Sequence, residues 1–480
     1  MYKVISIGLM AAIAAGGMIR QQAETADATR QIQPLKPLKV SANGRYFMTA
    51  DGKPFFWLGD TGWLLFSKLK REEAIKYLDD RKQKGFNVIQ VMVLHQAKVV
   101  NAYGDTALKG GNVAMPITTP GNKLGNEAAQ YDYWDHVDFI IKAAAARGIY
   151  IAMVPIWGSE VKAGKVTPAQ AKQYATFLAN RYRSQPNIVW LNGGDIKGTD
   201  SMDVWKTIGK TLHEKDPGHL MTFHPRGRTT SSEWFHNESW LQFNMFQSGH
   251  RRYNQDTSAG DLHYGEDNWK YIEVDYKKTP AKPTFDGEPS YEEIPQGLHD
   301  SLEIRWNDND VRRYAYWSVF AGGCGYTYGN NAVMQMHRPN DTDGNYGVTN
   351  YWYDAINAPG ASQMQYIKTL MLSCSYFDRV PDQSLISGDI SEKYDRLFAT
   401  RSKDCAMIYT YTGRTIAVKM DKLTGKSIHA SWYNPRDGKY TDIGFVTNKG
   451  VKEFDAPGEV KAGNDWVLIL VMPPKPLTRE

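Results

Sequence analysis

Short apolar runs and longer amphipathic segments alternate along the first three quarters of the chain. FNVIQVMVL (86–94) is a near-continuous apolar run of the kind found in strands buried on both faces of a parallel sheet. The segments before and after it, REEAIKYLDDRKQKG and YWDHVDFIIKAAAARG, have apolar residues at helical spacing and end in glycine. Repeated strand-helix alternation of this type predicts an α/β fold, a (β/α)8 TIM barrel.

We count eight candidate strands before residue 330, and each ends in a polar or aromatic residue. All strands of such a barrel point the same way, so their C-terminal ends meet at one mouth. Two long insertions, 97–129 and 330–361, follow the second and eighth strands and should shape this mouth. The predicted strand ends are Asp60, His95, Trp157, Asp195, His224, Gln247, Glu288 and Tyr328.

The pattern changes at about residue 382 to short alternating runs separated by Gly, Asn, Asp and Lys. LFATRS, CAMIYTYT, TIAVKM and WVLILVM are typical of strands in a β-sandwich. A length of 480 residues suits a barrel followed by one smaller module. We therefore predict a barrel domain over 36–378, with a small hairpin before its first strand, and a β-sandwich domain over 382–480.

The N-terminus has the layout of a secretory signal. Lys3 precedes an apolar stretch that runs to about Gly17, and polar QQAETADATR follows. The stretch is too short and too rich in small residues for a membrane span. We assign residues 1–28 to a signal peptide and expect an exported protein, periplasmic or extracellular.

Charge and aromatic content indicate which classes of molecule the protein binds. The net charge of +5 comes from 57 basic and 52 acidic residues without a basic block, so neither nucleic acid nor a membrane surface is indicated. Trp and Tyr, at 14 and 28 residues, are numerous, which suits both stacking on sugar faces and core packing. We expect a monomer that binds a polysaccharide or oligosaccharide.

The cysteines and histidines give little sign of a metal or cofactor. The three cysteines have no CxxC spacing. Free buried thiols are favoured, and a disulfide between Cys374 and Cys405 is the alternative in an oxidising compartment. A metal site at His95, Asp135 and His136 is a weak alternative because HExxH spacing is absent from the sequence. We expect no metal and no cofactor, and the lack of a GxSxG motif disfavours a serine hydrolase.

Two strand ends carry the carboxylates that sugar hydrolysis requires. PNIVWLNGGD ends in Asp195, and KPTFDGEPSYE contains Glu288. A glycosidase needs one carboxyl group to protonate the leaving oxygen and a second to attack the sugar or activate water. Positions after strands four and seven predict a retaining enzyme with Asp195 as acid/base and Glu288 as nucleophile. Asp286, on the same predicted strand face as Glu288, is an alternative nucleophile, and either carboxylate could instead pair with a nearby cation.

Further residues at the strand ends are predicted to bind substrate. Arg226 and Arg228 would suit an acidic sugar, since guanidinium groups bind carboxylates in bidentate fashion. Each residue could equally shape a loop through a hydrogen bond. The predicted substrate-binding residues are Asp60, His95, Trp157, Asn192, His224, Arg226, Gln247, Asp286 and Tyr328.

Five segments together resemble the apiosidase-like glycoside hydrolase family of gut and soil Bacteroidetes, over about residues 36–375: FFWLGDTGWLLFSKL, KGFNVIQVMVL, VWLNGGD, FHPRGR and FDGEPSYE. ASWYNPRDGKY is similar to the collagen-binding β-sandwich module that follows the barrel in that family. The resemblance implies an endo-apiosidase that cleaves between apiose and galacturonic acid in rhamnogalacturonan II, a pectin. It also implies Asp195 as acid/base and Glu288 as nucleophile.

Two alternatives remain open at this stage. One keeps the hydrolase but changes the sugar, to an arabinofuranoside or a β-glucoside. The other is a non-catalytic carbohydrate-binding or matrix-binding protein.

Overall fold

The computed structural model describes residues 35–125, 128–257 and 262–473. The predicted signal peptide lies outside the described residues. The strands are β1 Leu38–Val40, β2 Phe47–Thr49, β3 Pro54–Phe55, β4 Trp57–Thr61, β5 Val88–Met92, β6 Tyr150–Val154, β7 Ile188–Ile196, β8 Met221–Pro225, β9 Thr229–Thr230, β10 Asn244–Gln247, β11 Thr284–Asp286, β12 Gly325–Tyr328, β13 Val380–Pro381, β14 Phe398–Arg401, β15 Cys405–Thr410, β16 Ile416–Lys419, β17 Ser427–Tyr433, β18 Tyr440–Thr447, β19 Val451–Phe454 and β20 Trp466–Val471.

The helices begin and end close to the predicted signals. Thr167 accepts a hydrogen bond from the backbone of Gln170, with Pro168 in the first turn of its helix.

None of the helices in the described ranges has the length and apolarity to cross a membrane. The helices are α1 Leu65–Lys68, α2 Arg71–Gln83, α3 Tyr133–Ala145, α4 Gly158–Lys162, α5 Pro168–Tyr182, α6 Met202–Lys215, α7 Ser232–Phe235, α8 Trp269–Tyr276, α9 Asp308–Phe320, α10 Asn331–Met334, α11 Trp352–Ala355 and α12 Pro359–Leu372.

The predicted barrel is confirmed. Eight parallel strands follow the order β8-β7-β6-β5-β4-β12-β11-β10, and the two-residue β9 adds an antiparallel edge beside β10. The gap between β8 and β10 is bridged by a hydrogen bond from the Gln242 backbone to the Met221 carbonyl (2.9 Å). Thr222 Oγ1 also donates to the Phe243 carbonyl (2.6 Å). The sheet therefore closes, and its strand ends share one mouth.

Aromatic side chains fill the opposite end of the barrel. Trp57, Phe243 and Phe285 are fully buried, with the Trp57 and Phe285 rings 4.8 Å apart. Phe47, from the small antiparallel sheet β1-β2-β3, packs edge-on against Phe243 at 5.1 Å. The small sheet thus covers the N-terminal end of the strands and leaves their C-terminal mouth open.

The predicted β-sandwich is also confirmed. A six-stranded antiparallel sheet, β13-β14-β15-β20-β17-β18, and the pair β16-β19 bury a shared apolar core. Its first strand begins at Val380, two residues before the predicted boundary. β18 and β19 were not predicted, because most β18 side chains are exposed and the apolar alternation that marks a strand is missing.

Buried contacts fix the sandwich to the barrel. Arg312 of α9 forms a bidentate ion pair with Asp465. The guanidinium nitrogens lie 2.9 and 3.1 Å from the two carboxylate oxygens, and both side chains are fully buried. The Tyr316 and Tyr409 rings stack beside this pair, with centroids 4.8 Å apart. A buried, hydrogen-bonded pair of this kind is costly to break from one side. The sandwich therefore supports the helical outside of the barrel.

The expectation of free thiols is wrong for two of the cysteines. Cys374 and Cys405 form a disulfide that links the segment after α12 to β15, while Cys324 is buried as a free thiol. Residues 31 positions apart in sequence come together here because the sandwich folds back against the last barrel helix.

The disulfide should contribute to stability chiefly by restricting the unfolded chain. We expect a Cys374→Ser/Cys405→Ser variant to lose about 3 kcal/mol of unfolding free energy, measured by denaturant titration. Reductant should destabilise the wild type by a similar amount and leave the double variant unchanged. Equal stability of the oxidised wild type and the variant would contradict this expectation.

Candidate active site

A cavity of about 580 Å³ opens at the C-terminal ends of the barrel strands. Six predicted site residues line it: Asp195, Glu288, His95, Trp157, Arg226 and Gln247. The insertion after β12 contributes further lining through Asn345 and Tyr346. The structure thus brings both predicted carboxylates to one cavity.

A bulge in β7 presents Asp195 to the cavity. Gly193, Gly194 and Asp195 have φ angles of 92°, 116° and 47°, and the pairing with β8 shifts register between Gly193 and Ile196. A Cβ on Gly193 would lie 2.7 Å from the His224 carbonyl oxygen, so glycine is required there. The bulge turns the Asp195 side chain into the cleft, where it is solvent-exposed.

His224 connects the two carboxylate residues. Its Nδ1 accepts a hydrogen bond from the Asp195 backbone N–H (3.1 Å). Its Nε2 lies 3.0 Å from Oε2 of Glu288. Because Nδ1 is an acceptor, Nε2 carries the proton of the neutral ring and faces Glu288. The contact is close but poorly aligned for a strong hydrogen bond.

His250 faces the other oxygen of Glu288 in the same way. The Tyr291 backbone N–H donates to Nδ1 of His250 (3.4 Å), which assigns the proton of the neutral ring to Nε2. Nε2 lies 3.7 Å from Oε1 of Glu288. Two ring nitrogens therefore lie close to the two oxygens of one buried carboxylate.

These surroundings separate the pKa values of the two carboxyl groups. Burial alone would raise the pKa of Glu288, but His224 and His250 more than offset it and lower the pKa to about 2. Desolvation and the nearby Glu288 charge raise the pKa of Asp195 to about 6. Because the Asp195 side chain is open to water, a bound glycan that displaces this water would strengthen the desolvation effect. Between these values Asp195 holds a proton while Glu288 is ionised.

Aromatic rings form much of the cavity wall. Trp63 and Trp157 lie 5.7 Å apart, and Trp63 Nε1 donates to the Tyr291 hydroxyl (3.2 Å). Tyr346, in the left-handed region at φ 55°, approaches His299 across the mouth at 6.2 Å. Burial and the charges of the two carboxylates raise the pKa of the Tyr346 hydroxyl. Such rings suit the flat apolar faces of sugars.

The comparisons with known proteins agree with this geometry. The model of the family described as "Apiosidase-like, catalytic domain" matches residues 41–378. The chain belongs to the apiosidase-like family. The model described as "Putative collagen-binding domain of a collagenase" matches residues 380–471. Comparison with curated proteins gives no match.

Solved structures place this apiosidase-like chain among glycoside hydrolases. It is 49% identical to a structure described as a glycoside hydrolase, covering 91% of this chain and 97% of the other, with a TM-score of 0.85. A family 5 glycoside hydrolase from Bacteroides vulgatus ATCC 8482 is 47% identical, over 91% and 93%, with a TM-score of 0.85. The apiosidase-like barrel is therefore a glycoside hydrolase domain.

Four predicted substrate ligands of the apiosidase-like barrel lie outside the cavity, fully buried and held by protein groups. Asp60 faces α2, where Arg81 Nε lies 2.7 Å away and the Tyr77 hydroxyl donates at 2.6 Å. Asn192 donates to the Trp205 carbonyl (2.8 Å), and the Tyr328 hydroxyl donates to Glu292 (2.5 Å). Asp286 accepts hydrogen bonds from Ser248 and Asn268.

The alternative metal site is not assembled. His136 contacts the Leu69 carbonyl (2.9 Å) and the Tyr131 hydroxyl (3.0 Å) through its two ring nitrogens. Asp135 pairs with Arg181 at 3.3 Å. His95 lines the cavity instead.

Among the cavity residues that the sequence analysis missed, three lie shortly after predicted strand ends: Trp63, His250 and Tyr291. Trp63 lies three residues after Asp60, His250 three after Gln247, and Tyr291 three after Glu288. Each of the three is an aromatic or histidine side chain three residues beyond a predicted strand end, and this position could have identified it. The prediction considered only the strand ends themselves.

Proposed function

We propose that this apiosidase-like hydrolase is a retaining enzyme of plant pectin that uses Asp195 as acid/base and Glu288 as nucleophile. Its substrate would be rhamnogalacturonan II, cleaved in endo fashion between apiose and galacturonic acid. One observation carries the catalytic assignment: two carboxyl groups with oppositely shifted pKa values face a single cavity.

The two steps follow from the protonation states. Glu288 attacks the anomeric carbon while the Asp195 proton passes to the glycosidic oxygen, which leaves as the alcohol of the released sugar. Asp195, now a carboxylate, then takes a proton from water, and the water oxygen displaces Glu288 from the anomeric carbon. The N–H groups of His224 and His250 stabilise the Glu288 carboxylate before the first step and after the second.

Arginines in the cavity support an acidic substrate. Arg226, Arg228 and Arg251 line the wall. Arg228 is buried and pairs with Asp256 (3.0 Å), whereas Arg226 is exposed and is the best placed to bind a substrate carboxylate. The peptide N–H of Gly227, next to Arg226, lies 3.4 Å from Asp195 Oδ1. A leaving sugar protonated by Asp195 would therefore lie close to a guanidinium that can bind a carboxylate.

We further propose that the protein acts as a monomer outside the cytoplasm, in the periplasm or the medium. The disulfide between Cys374 and Cys405 supports an oxidising compartment, since such bonds are rare where thiols are kept reduced. The signal-like N-terminus and a cell-wall polysaccharide substrate favour the same location.

Sugar release tests the substrate. The wild type should release product from rhamnogalacturonan II, and both Asp195→Asn and Glu288→Gln should lose that activity. Release only from arabinofuranoside or β-glucoside polymers would overturn the apiose assignment and keep the hydrolase. Binding without turnover on every glycan of a pectic and hemicellulosic panel would overturn the enzyme assignment.

The pH dependence of kcat/KM should report the two carboxyl groups. Activity requires ionised Glu288, so it should fall as pH drops toward about 2. It requires protonated Asp195, so it should fall as pH rises through about 6. Rates measured between about pH 3 and 9 should give an acidic optimum whose basic limb disappears in Asp195→Asn. A basic limb that persists in that variant would assign the acid elsewhere.

A further inference from the structure

Asp286 is a fully buried carboxylate beside the cavity, and the two-step reaction does not use it. Its Oδ2 accepts hydrogen bonds from the Ser248 hydroxyl (2.6 Å) and from Nδ2 of Asn268 (3.0 Å). Its Oδ1 accepts from the Ser248 backbone N–H (3.3 Å), and the Glu288 backbone also hydrogen-bonds to it. Each of these partners donates, so both oxygens of Asp286 act as acceptors. Burial nevertheless raises the pKa of this carboxyl group to about 7.

Ser248 belongs to residues 247–250, which comprise the last residue of β10 and the turn after it and end in His250. We call this segment the loop 247–250. Two further hydrogen bonds tie this loop to the segment that carries Glu288. The Gly249 N–H donates to the Glu288 carbonyl (3.2 Å), and the Ser290 hydroxyl donates to the Gly249 carbonyl (2.8 Å). The backbones that carry His250 and Glu288 are thus held side by side, with Asp286 at the base of the contact.

We propose that Asp286 is a positioning residue that fixes the loop 247–250 and so holds the His250 N–H against Glu288. The inference rests on the proposed role of Glu288. The contact between His250 and Glu288 is long, at 3.7 Å. It depends on the position of the backbone, because His250 is held by two backbone N–H groups: one donates to its ring Nδ1 and the other to its carbonyl oxygen. A displacement of about 1 Å in such a site can cost about 100-fold in rate.

Asp286→Asn tests the proposal, since an amide nitrogen at either oxygen position would meet a donor. We expect kcat on rhamnogalacturonan II to fall about 100-fold with little change in KM. Asp275→Asn is the matched control. That carboxylate is also fully buried and accepts from three hydroxyl groups, those of Ser232, Thr230 and Thr284. None of the three belongs to the loop 247–250, although Thr284 lies on β11 with Asp286. A similar loss of kcat in folded Asp275→Asn would overturn the positioning role.

A double-mutant cycle separates positioning from general stability. If Asp286 acts through His250, Asp286→Asn should add no further loss of kcat to His250→Ala. Multiplicative losses would overturn the proposal. Ser248→Ala, which removes one donor and keeps Asp286, gives a milder second variant and should show the same dependence on His250. This variant decides the question if Asp286→Asn does not fold.

Histidine ring ¹H–¹⁵N spectra give a readout without substrate. The His250 signal, assigned through His250→Ala, should move in Asp286→Asn or Ser248→Ala and stay in place in Asp275→Asn. An unmoved signal would overturn the proposal. Retained activity in Glu288→Gln would instead overturn the proposed function. If Glu288→Gln is inactive but the kcat losses of Asp286→Asn and His250→Ala multiply, only the positioning role is overturned.

Discussion

Replacing Glu288 with Gln is expected to lower kcat on the natural glycan by on the order of 10⁴-fold, because the amide cannot attack the anomeric carbon. The side chain keeps its size, so the cavity should retain its shape. One amide nitrogen would, however, face the N–H of His224 or His250. We therefore expect a small loss of thermal stability beside the large loss of kcat, measured by initial rates and by melting.

Glu292→Gln is the matched control for this variant. Glu292 lies four residues later, is also buried, and is held outside the cavity by the Tyr328 hydroxyl and the Gly360 N–H. Folded Glu292→Gln should keep kcat within about a factor of three, since both of these partners lie away from the cavity wall. Activity of Glu288→Gln within tenfold of the wild type would remove Glu288 from the mechanism.

Asp195→Asn should show a loss that depends on the leaving group. On the natural glycan, where the departing sugar needs a proton, we expect kcat/KM to fall about 10²- to 10⁴-fold. On an aryl glycoside whose phenol leaves without protonation, the first step should remain near the wild-type rate. Pre-steady-state release of the phenol measures this step directly.

Asp195→Asn should also slow the second step, in which water releases the sugar from Glu288. The amide introduced by Asp195→Asn cannot activate water, so the glycosyl-enzyme should accumulate, and added azide should release it as a glycosyl azide of retained configuration. Asp343→Asn, which changes another exposed carboxylate on the cavity wall, should leave both steps unchanged. Equal losses of Asp195→Asn on natural and activated substrates would contradict the acid/base role.

The barrel and its carboxylate pair could be predicted because both depend on regular patterns. VWLNGGD and FNVIQVMVL are apolar runs of strand length, and parallel strands in a closed barrel place their ends together whatever their separation in sequence. Asp195 and Glu288 could therefore be predicted to lie at the same mouth of the barrel without information on tertiary contacts.

Residues that depend on side-chain direction were harder to place. Asp60 was expected at the mouth, but its side chain faces α2, where Arg81 and Tyr77 engage it. Asp286 and Glu288 were expected on one strand face, but β11 ends at Asp286, so the alternation rule no longer applies at Glu288. One carboxylate is consequently buried behind the cavity and the other faces it.

Loop residues and the disulfide depend on tertiary contacts that no local pattern reports. His250 reaches Glu288 because hydrogen bonds from Ser290 and Gly297 hold its loop. Cys374 meets Cys405 because the sandwich packs against the barrel.

Trapping the covalent intermediate tests the central claim most directly. Asp195→Asn, incubated with an activated aryl apioside, should gain the mass of one glycosyl residue by intact mass spectrometry, and peptide mapping should locate it on Glu288. An adduct on Asp286 or another residue, or turnover with inverted product and no adduct, would contradict the account.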